Sequence, residues 1–444
     1  MNMKKISVIG GGPAGLAVAY YAKKNSFKYE VFEANNYFGG NCITYKYNDF
    51  YFDSGAHRLH DKDKETTLIF KKLLKKDLKL INVPSQIFRN NKFIDFPISP
   101  LNLIKYLGLF NTIIEVVKIL FNYLIVKKNK NDFKSLVINR YGKKISELFI
   151  LEYSEKLWGD RSENLSLSVA GKRLKGLNIF TLIIEIIFGK NKKTKHLDGS
   201  FYYPKFGIGS IFDNLTKEFD SSSLFKKSLV SKVFHKNKLI NSLEIDKKII
   251  KIDNLVSSMP LNKLISALEP LPPKRVLEIS KKIKFRNVIL VVFFLNKKKI
   301  NNNGSMYFPS KKIPFTRLYE PRNRSEFMSP KNKTSIVAEI PCFKKDKYWK
   351  YENEKIINLI KKYLIEMGFF NNDEIIDTTV KKIFNAYPVL NKDYEKKIKI
   401  ITNYLDQFKN LKLTGRNGLF SYSHIHDQMV CARQIINEIK MNKN

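Results

Sequence analysis

The sequence predicts an α/β fold with an open sheet, divided between two domains. Short β-branched or alternating runs, such as KYEVFEA, NVILVVFFLN and TSIVAEIPC, interleave with helical stretches such as EKIINLIKKYLIEMG. At 444 residues, the chain exceeds the roughly 250 to 300 residues at which a single core stops growing. The sequence contains no internal repeat and no low-complexity linker, so the domain boundaries must be inferred from motifs.

The chain opens with a dinucleotide-binding fingerprint. The predicted strand Ile6–Ile9 leads into Gly10-x-Gly12-x-x-Gly15 and then into a helix. Gly10 permits the tight turn, Gly12 lets the backbone approach a pyrophosphate, and Gly15 allows close packing of helix on strand. A second predicted strand ends at Glu33, where a carboxylate can accept hydrogen bonds from ribose hydroxyls. The order of strand, glycines, helix, strand and acid predicts a bound dinucleotide.

Two further glycine motifs bear on which dinucleotide is bound. The stretch ANNYFGGN resembles the extended fingerprint of FAD enzymes through Gly39 and Gly40. FAD is therefore the predicted cofactor, with NAD as the alternative. Near the C-terminus, LTGRNG places Gly415 and Arg416 where backbone and cation can face a pyrophosphate, although an ordinary helix-capping loop would read the same way.

Several longer stretches carry a resemblance to a known superfamily. YFDSGAHRLHDKDKE resembles the loop that follows the fingerprint in amine oxidases, protoporphyrinogen oxidases and UDP-galactopyranose mutases, and Gly55, His57 and His60 match the GxHxxH pattern of the mutases. The stretches INRYGKKISELFILEYSEKLWGDRSENLSLSVAGKRLKGL, FYYPKFGIGSIFDNL, LVSSMPLNKLI and LTGRNGLFSYSHIHDQMVCARQIINEI are similar to later parts of the same proteins. These matches occur in order from residue 6 to about residue 439 and cover nearly the whole chain.

The resemblance implies a Rossmann-type FAD-binding domain that is GR2-like and discontinuous, with an interleaved α+β substrate domain. The FAD-binding domain would comprise residues 1–75, 200–260 and 395–444, and the substrate domain residues 76–199 and 261–394. The predicted cofactor-binding residues are Gly10, Gly12, Pro13, Ala14, Gly15, Glu33, Ala34, Gly39, Gly40, Asn41, His57, Val233, Gly415 and Arg416.

The resemblance to the mutases also marks a substrate pocket. Trp158 matches the tryptophan beside their nucleotide-sugar site, and Arg173 and Arg317 match two arginines that hold the substrate diphosphate. Two planar guanidinium groups suit a diphosphate because each offers paired donors. A core role for the tryptophan and solvated roles for the arginines are the alternatives. Three positions depart from the mutase pattern, and these are Phe420, His424 and His426.

The first functional hypothesis is an FAD-dependent oxidoreductase of the protoporphyrinogen oxidase or amine oxidase type, in which flavin N5 takes hydride from a small organic substrate. The alternative is a non-redox flavoenzyme like UDP-galactopyranose mutase, acting on a nucleotide sugar in surface polysaccharide synthesis. A third hypothesis is a flavin-binding scaffold at a membrane without catalysis. The sequence contains no GxSxG elbow and no P-loop, which argues against hydrolase and kinase functions. The sequence does not indicate an oligomeric state.

The chain is strongly basic, with a formal net charge of +39. Lys accompanies Asn and Ile throughout and forms no long basic block, which favours a compositional bias on solvated positions. An anionic membrane surface or an anionic substrate is the alternative interpretation. Because the sequence contains no RNA-binding or DNA-binding motif, we expect no nucleic-acid partner.

Two apolar stretches are candidates for membrane contact. The first, residues 101–126, is interrupted by Lys105, Glu115 and Lys118, and its longest apolar run is shorter than the ~20 residues that a span needs. The second, NIFTLIIEIIFG, covers residues 178–189. Both favour buried or amphipathic helices, and the basic stretches VKKNKNDFK and GKNKKTKH beside them keep peripheral contact with an anionic membrane open.

Cysteine usage and the first residues bear on the compartment. The three cysteines, Cys42, Cys342 and Cys431, are far apart and form no CxxC pair, which indicates a reducing compartment. After MNMKK the chain enters a predicted strand, without the apolar region of a secretory signal. We therefore expect a cytoplasmic protein, in the alternative interpretation peripheral to the inner face of the membrane. His57 and His60 have no companions at ligand spacing, so no metal site is expected.

Overall fold

A computed structural model describes residues 5–98, 100–125, 132–170 and 200–441. The strands are β1 Ile6–Ile9, β2 Tyr29–Phe32, β3 Thr44–Tyr47, β4 Phe50–Asp53, β5 Leu78–Asn82, β6 Ser85–Arg89, β7 Lys92–Phe96, β8 Ser200–Pro204, β9 Leu224–Phe225, β10 Val230–Lys236, β11 Leu239–Ile245, β12 Lys248–Lys251, β13 Asn254–Ser257, β14 Leu268–Glu269, β15 Phe285–Leu295, β16 Ser305–Tyr307, β17 Arg317–Tyr319, β18 Thr334–Cys342, β19 Ile375–Pro388 and β20 Leu411–Leu413.

The α-helices alternate with these strands along most of the chain. They are α1 Pro13–Lys24, α2 Lys64–Leu74, α3 Pro100–Leu107, α4 Leu109–Ile125, α5 Phe133–Tyr141, α6 Lys143–Ser146, α7 Glu152–Trp158, α8 Gly209–Lys217, α9 Leu261–Ala267, α10 Lys274–Lys282, α11 Lys347–Lys350, α12 Asn353–Glu366, α13 Tyr394–Leu405, α14 Gly415–Gly418 and α15 Ile425–Met441. A π-helical turn at Glu147–Leu151 leads into α7.

A parallel sheet collects strands from distant parts of the chain. Its order is β20-β13-β1-β2-β9, and every neighbouring pair is parallel. After β1 the chain crosses through α1 to β2 on one side, whereas β13 lies on the other side. The strand order therefore reverses at β1, and ligands of open α/β sheets bind beyond the carboxyl ends of the strands at such a point. All five strands lie within the three segments assigned from the sequence to the FAD-binding domain.

A seven-stranded sheet forms the second large layer, in the order β19-β15-β18-β17-β16-β6-β7. All seven strands lie within the two segments assigned from the sequence to the substrate domain. The central strands β15 and β18 are buried along nearly their whole length, in agreement with the apolar runs NVILVVFFLN and TSIVAEIPC. A third sheet has four strands in the order β12-β11-β10-β14. These strands lie between β9 and β15 in the sequence.

Hydrogen bonds between distant segments join the two layers. The Ala56 backbone N–H donates to Glu339 Oε1 at 2.8 Å, and the Tyr319 hydroxyl donates to the Asp53 carbonyl at 2.7 Å. Asp53 also accepts from the Tyr203 hydroxyl at 2.5 Å. These groups are buried, so the bonds satisfy polar atoms that would otherwise be costly to bury. They hold the loop after β4 between the two sheets.

The predicted α/β class is confirmed by this architecture. Within the described residues, no helix combines the length and the apolar composition that crossing a bilayer requires. The predicted apolar stretch at 178–189 and the basic stretch that follows it lie outside the described residues.

Candidate functional site

The fingerprint glycines occupy positions where a side chain would collide with neighbouring atoms. Gly10 has φ +96°, and a Cβ there would lie 2.3 Å from Ser258 Oγ. A Cβ on Gly15 would lie 1.8 Å from the Gly10 carbonyl oxygen, so α1 can pack on β1 only without a side chain at that position. The turn is thus set by sterics at the carboxyl end of β1, at the point where the strand order reverses.

The second pair of glycines lies against the first turn. Gly40 has φ +54°, and a Cβ there would lie 3.0 Å from Gly12 Cα, while the Gly39 N–H donates to the Gly11 carbonyl at 2.8 Å. Helix α1 begins at Pro13 and its N-cap, Gly12, makes no side-chain capping bond. The first-turn amides and the positive end of the helix dipole are therefore available to an anion. We call this arrangement of two glycine turns and the start of α1 the cradle.

A carboxylate stands at the end of β2 beside the cradle. Glu33 is buried, and its Oε2 accepts from the Gly11 N–H at 2.7 Å. Its Oε1 accepts from the Asn35 N–H at 2.8 Å and from Asn35 Nδ2 at 2.6 Å. A carboxylate can accept about four hydrogen bonds, so this fixed group retains capacity for a ribose hydroxyl. Ala34 follows it and is exposed.

The C-terminal GRNG motif closes the cradle from the other end of the chain. Gly415 has φ +78°, and a Cβ there would lie 3.1 Å from Ala14 Cβ and 3.3 Å from Ser258 Cβ. Arg416 donates from Nη1 to the Ala386 carbonyl at 3.1 Å and from Nη2 to the Ser423 carbonyl at 2.8 Å. Its buried Nε has no hydrogen-bond partner within the part of the chain that the structure describes. An anion beside α1 would supply the acceptor that this buried donor lacks.

His57 lies close to the cradle, half-buried as a residue but with its Nε2 atom fully buried. Its Nδ1 is 3.9 Å from Cys42 Sγ, and its Nε2 is a buried atom without a partner among the described residues. Burial, with Arg416 and Arg317 nearby, lowers the pKa of His57 to about 3. The imidazole is therefore neutral at physiological pH and can donate or accept one hydrogen bond at Nε2.

Two other predicted cofactor residues have different surroundings. Asn41 Nδ2 donates to the Phe384 carbonyl at 3.2 Å, which links the end of the second glycine turn to β19. Val233 lies in the middle of β10, fully buried, and is paired with Leu243 on one side and Leu268 on the other. Its side chain belongs to the hydrophobic core. Its predicted contact with the cofactor stays a prediction.

Three aromatic rings, of which Trp158 is buried and Tyr387 and Tyr422 are half-buried, form a group near the C-terminal motif. The ring centroid of Trp158 lies 5.8 Å from that of Tyr422 and 6.3 Å from that of Tyr387, and the two tyrosine rings are stacked with centroids 6.1 Å apart. The guanidinium carbon of Arg416 lies 4.8 Å from the Tyr422 ring centroid and 5.8 Å from that of Tyr387. We call Trp158, Tyr387 and Tyr422 the aromatic box.

Sequence reasoning found only one member of the aromatic box. Tyr422 lies within the quoted stretch YSHIHDQ, six positions after Arg416, so its proximity to the GRNG motif was a usable signal. Tyr387 lies near the end of the long strand β19 and carries no local signal. Burial raises the pKa of Tyr387 to about 12, against the opposing effect of Arg317, so its phenol is neutral.

Arg317 is anchored by a buried carboxylate. Its Nε donates to Glu339 Oε2 at 2.8 Å, and its Nη2 donates to the same oxygen. Burial disfavours the charge, but Glu339 together with Tyr387, Tyr153 and Tyr307 outweighs burial and holds the pKa of Arg317 above its usual value. The guanidinium is therefore charged and oriented, and its Nη1 donors are not engaged by Glu339. Arg173, the second arginine predicted to hold a diphosphate, lies outside the described residues.

Helix α7 positions Trp158 through a lysine on its inner side. Lys156 Nζ donates to the carbonyls of Phe308, Ser310 and Phe315 at 2.6 to 2.9 Å. Burial lowers the pKa of Lys156 to about 7, but three carbonyl acceptors match the three hydrogens of the ammonium form. The lysine ties the end of α7 to the loop between β16 and β17, and so fixes the tryptophan two residues later.

The positions that depart from the mutase pattern lie beside the aromatic box. Phe420 is buried with φ +49° and packs on Phe285, with ring centroids 5.1 Å apart. The His424 ring centroid lies 5.7 Å from that of Tyr422, and the His424 and His426 rings are stacked at 5.5 Å. The side-chain hydrogen bond from His426 lowers the pKa of Asp427. This edge of the pocket therefore carries imidazoles instead of free carboxylates.

Within the described ranges, no group of three or more His, Cys, Asp or Glu side chains could hold a metal ion.

Comparison with known proteins relates this geometry to known families. Residues 8–73 match a family of NAD(P)-binding Rossmann-like domains, and residues 278–372 match the UDP-galactopyranose mutase family. A 107-residue stretch is 30% identical to the mitochondrial protoporphyrinogen oxidase of Nicotiana tabacum, spanning 23% of this chain and 21% of that protein.

Solved structures resemble the chain over nearly its whole length. A crystal structure of reduced UDP-galactopyranose mutase has a TM-score of 0.86 at 15% identity, covering 99% of this chain and 94% of that one. A putative protoporphyrinogen oxidase from Exiguobacterium sp. 255-15 has a TM-score of 0.79 at 15% identity, with both chains covered completely. A putrescine oxidase bound to putrescine has a TM-score of 0.66 at 14% identity, with 99% of each chain covered.

The match over residues 8–73 and the cradle define a protein with a Rossmann-type dinucleotide-binding domain. More particularly, residues 278–372 resemble the UDP-galactopyranose mutase family, and the whole chain shares its fold with a UDP-galactopyranose mutase, a putative protoporphyrinogen oxidase and a putrescine oxidase. The resemblance predicted from the sequence is confirmed. The specific reaction and substrate are not fixed by these likenesses.

Proposed function

We propose that this protein is an FAD-dependent enzyme that rearranges a nucleotide sugar without net oxidation. The observation that carries the proposal is the placement of the aromatic box, Arg416 and Arg317 beside the dinucleotide cradle. The match of residues 278–372 to the mutase family supports the same branch. The first hypothesis drawn from the sequence was hydride transfer, and rearrangement of a nucleotide sugar was its alternative. We now place the rearrangement first.

The described residues fit an FAD molecule. Glu33 would accept from the adenosine ribose, and the first turn of α1 with Arg416 would hold the pyrophosphate. The close approach of Gly40 to Gly12 would leave backbone beside the flavin-bearing half, and Nε2 of His57 has no hydrogen-bond partner among the described residues. Reduced flavin would supply a nucleophilic nitrogen when bound, and oxidised flavin a hydride acceptor.

The pocket residues would bind the substrate through stacking and charge. Trp158 and the two tyrosines offer aromatic faces for a planar base or a sugar ring. Arg317 is pre-oriented by Glu339, so its remaining donors can hold a phosphate oxygen at a small cost in side-chain entropy. Arg173 would supply the second guanidinium, as predicted from the sequence.

The protonation states suit a reaction that breaks and re-forms the bond between a sugar carbon and a diphosphate oxygen. The phenol of Tyr387 and the imidazole of His57 are neutral, and the carboxylate of Glu339 is already paired. These groups would orient the substrate and exclude water, and none of them is poised to abstract a proton from carbon. Charge on a departing diphosphate would be stabilised by Arg317.

A second candidate function is hydride transfer from a small organic substrate, as in the oxidases of the same superfamily. His424 and His426 favour it, because they place imidazoles where the mutases carry acidic residues. The similarity to protoporphyrinogen oxidase and putrescine oxidase supports the same alternative.

The two candidates differ in whether the flavin changes oxidation state. We expect the anaerobically photoreduced protein to interconvert the pyranose and furanose forms of UDP-galactose, with the flavin still reduced afterwards. Chromatography of the sugar nucleotides and the flavin absorbance measure both. Arg317→Lys should lower kcat/KM by about tenfold or more, because the planar fork is lost, whereas Arg275→Lys on exposed α10 should have no effect. Absence of interconversion, together with reduction of the oxidised flavin by an amine or porphyrinogen, would contradict the proposal.

A further inference from the structure

Helix α4 packs Ile119 and Val116 on the core but also leaves a large apolar face exposed. Its buried side carries Thr112, Glu115 and Ile119, which are 1 to 6% exposed. Two of these three residues are polar, and Glu115 pairs with Lys118, with a distance of 3.2 Å between charged atoms. A helix that packs on a globular core normally turns its apolar stripe inward and its polar residues to water.

The opposite side of α4 is apolar and open. The exposed residues, which are 52 to 76% accessible, are Leu109, Phe110, Ile113, Val117 and Phe121. At 100° per residue these five positions fall within an arc of about 120°, and the three buried positions lie on the other side of the helix. We call these five residues the outer α4 face. Leu101 on the neighbouring helix α3 is 71% exposed and adds to the same hairpin.

Such a face is unfavourable in water. Single exposed apolar residues are common on protein surfaces, but a contiguous stripe of five large side chains on one helix is typical of a binding surface. Burying one Leu or Phe side chain contributes about 1.5 to 3 kcal/mol. The stripe therefore favours any partner that can cover it.

The charges around the stripe indicate which partner. Lys118 lies at the edge of the arc, about 60° from Phe121, and is largely exposed. Lys105 on α3 is also exposed. Between residues 92 and 130 the basic residues are Lys92, Lys105, Lys118, Lys127, Lys128 and Lys130, and the acidic residues are Asp95 and Glu115. Of these, residues 127–130 lie outside the described residues and count here only for their sequence charge.

We propose that the outer α4 face docks the protein on an anionic membrane surface, with α4 lying in the interface plane. The apolar stripe would enter the boundary between headgroups and acyl chains, and the lysines would meet the lipid phosphates. With 17 residues α4 is about 25 Å long and carries Glu115 and Lys118 near its middle, which suits a helix that lies on the bilayer and does not cross it. The overall charge of +39 adds long-range attraction to the same surface.

Vesicle sedimentation of the full-length protein tests this proposal. We expect binding to phosphatidylserine-containing vesicles at low salt, weaker binding at high salt, and weaker binding still to pure phosphatidylcholine. Phe110→Glu with Phe121→Glu should weaken binding by about tenfold or more. The matched control is Ile249→Glu on β12, which also replaces an exposed apolar residue, 64% accessible, by a charge and should leave binding unchanged.

The contribution of charge has its own pair of variants. Lys105→Gln with Lys118→Gln should weaken binding to the anionic vesicles severalfold and flatten its salt dependence, whereas Lys248→Gln with Lys251→Gln on β12 should not. Circular dichroism and bound flavin confirm that each variant is folded. Three results would overturn the proposal: no binding to anionic vesicles at low salt, an equal loss in the Ile249 control, or a self-association in solution that Phe110→Glu abolishes while vesicle binding is absent.

Discussion

At the scale of single residues, the cradle requires glycine because a Cβ would collide with neighbouring atoms. Gly40 approaches Gly12 so closely that a methyl group would meet backbone, and backbone cannot move aside as the end of a flexible side chain can. Arg416 and His57 contribute the complementary feature, which is a buried nitrogen without a hydrogen-bond partner in the part of the chain that the structure describes. A dinucleotide would fill the space and satisfy these atoms.

We predict that Gly40→Ala reduces FAD binding by at least about tenfold, because its Cβ would lie 3.0 Å from Gly12 Cα. Flavin content after purification and FAD titration of the apoprotein measure the loss. The control is Gly368→Ala, which also has a positive φ, +73°, but no atom within 4 Å of the added Cβ. The control should cost about 1 kcal/mol of stability from backbone strain and leave FAD binding intact. Equal flavin content in the two variants would contradict the cradle.

His57 predicts a pH dependence of stability. Its pKa is about 3 in the folded protein and 6.5 when unperturbed. Below pH 6.5 the unfolded chain takes up a proton at His57 that the folded protein does not. The neutral His57 therefore costs no stability above pH 6.5, and the free energy of unfolding falls as the pH drops from 6.5 toward 3. At pH 5 the loss is about 2 kcal/mol. Urea unfolding of the apoprotein at pH 7 and pH 5 should show this loss in the wild type and not in His57→Gln. The same pH dependence in both proteins would show that His57 is not buried as described.

At the scale of elements, the pocket is held by contacts between helices and distant loops. Helix α7 brings Trp158 into the aromatic box because Lys156 binds three carbonyls of the loop between β16 and β17. Helix α14 brings Arg416 to the same box because Gly415 packs on Ala14. The box is therefore assembled from three separated parts of the chain.

We predict that Lys156→Met lowers the free energy of unfolding by about 2 to 4 kcal/mol, because three carbonyls lose their donor. It should also weaken substrate binding, since Trp158 loses its anchor. The control is Lys134→Met on α5, whose partner Glu163 is exposed and whose loss should cost no more than about 1 kcal/mol. Urea denaturation of both variants measures the difference. A loss no larger in Lys156→Met than in the control would exclude the anchoring role.

Local patterns account for the elements that the sequence predicted correctly. The fingerprint could be recognised from the sequence because the tight turn and the packing of α1 each require glycine at a fixed spacing. Strands β15 and β18 could be read because they are apolar on both faces. Tyr387 on the edge strand β19 and Glu339 on the central strand β18 could not be recognised from the sequence, since their roles arise from tertiary contacts with distant segments. The exposed apolar face of α4 could not be assigned from the sequence, because α4 also packs apolar residues on the core and the sequence does not show which of its apolar residues are exposed.

At the scale of the whole molecule, the dinucleotide-type sheet joins the two ends of the chain. Strand β20 pairs with β13, and β13 pairs with β1, so residues near 6 and near 411 belong to one sheet. The seven-stranded sheet is built from the segments between them. The chain therefore passes repeatedly between the two layers, and neither layer is a separate stretch of sequence.

This interleaving predicts cooperative unfolding. Addition of FAD to the apoprotein should raise the midpoint of a single thermal transition, because the ligand binds only the folded sheet. With FAD at 100 times its Kd the expected stabilisation is about 2.7 kcal/mol. Differential scanning calorimetry measures the midpoint and the number of transitions. Two transitions, of which FAD shifts only one, would indicate that the layers unfold independently.

The central claim is that a flavin in the cradle lies against a nucleotide pocket that contains the aromatic box. The most direct test is a UDP titration of the purified flavoprotein, followed through the visible absorbance of the flavin. We expect a saturable change in the flavin spectrum, and a Kd that rises by about tenfold or more in Trp158→Leu because aromatic stacking is lost. A protein that binds no flavin, or a flavin spectrum that UDP leaves unchanged, would contradict the claim.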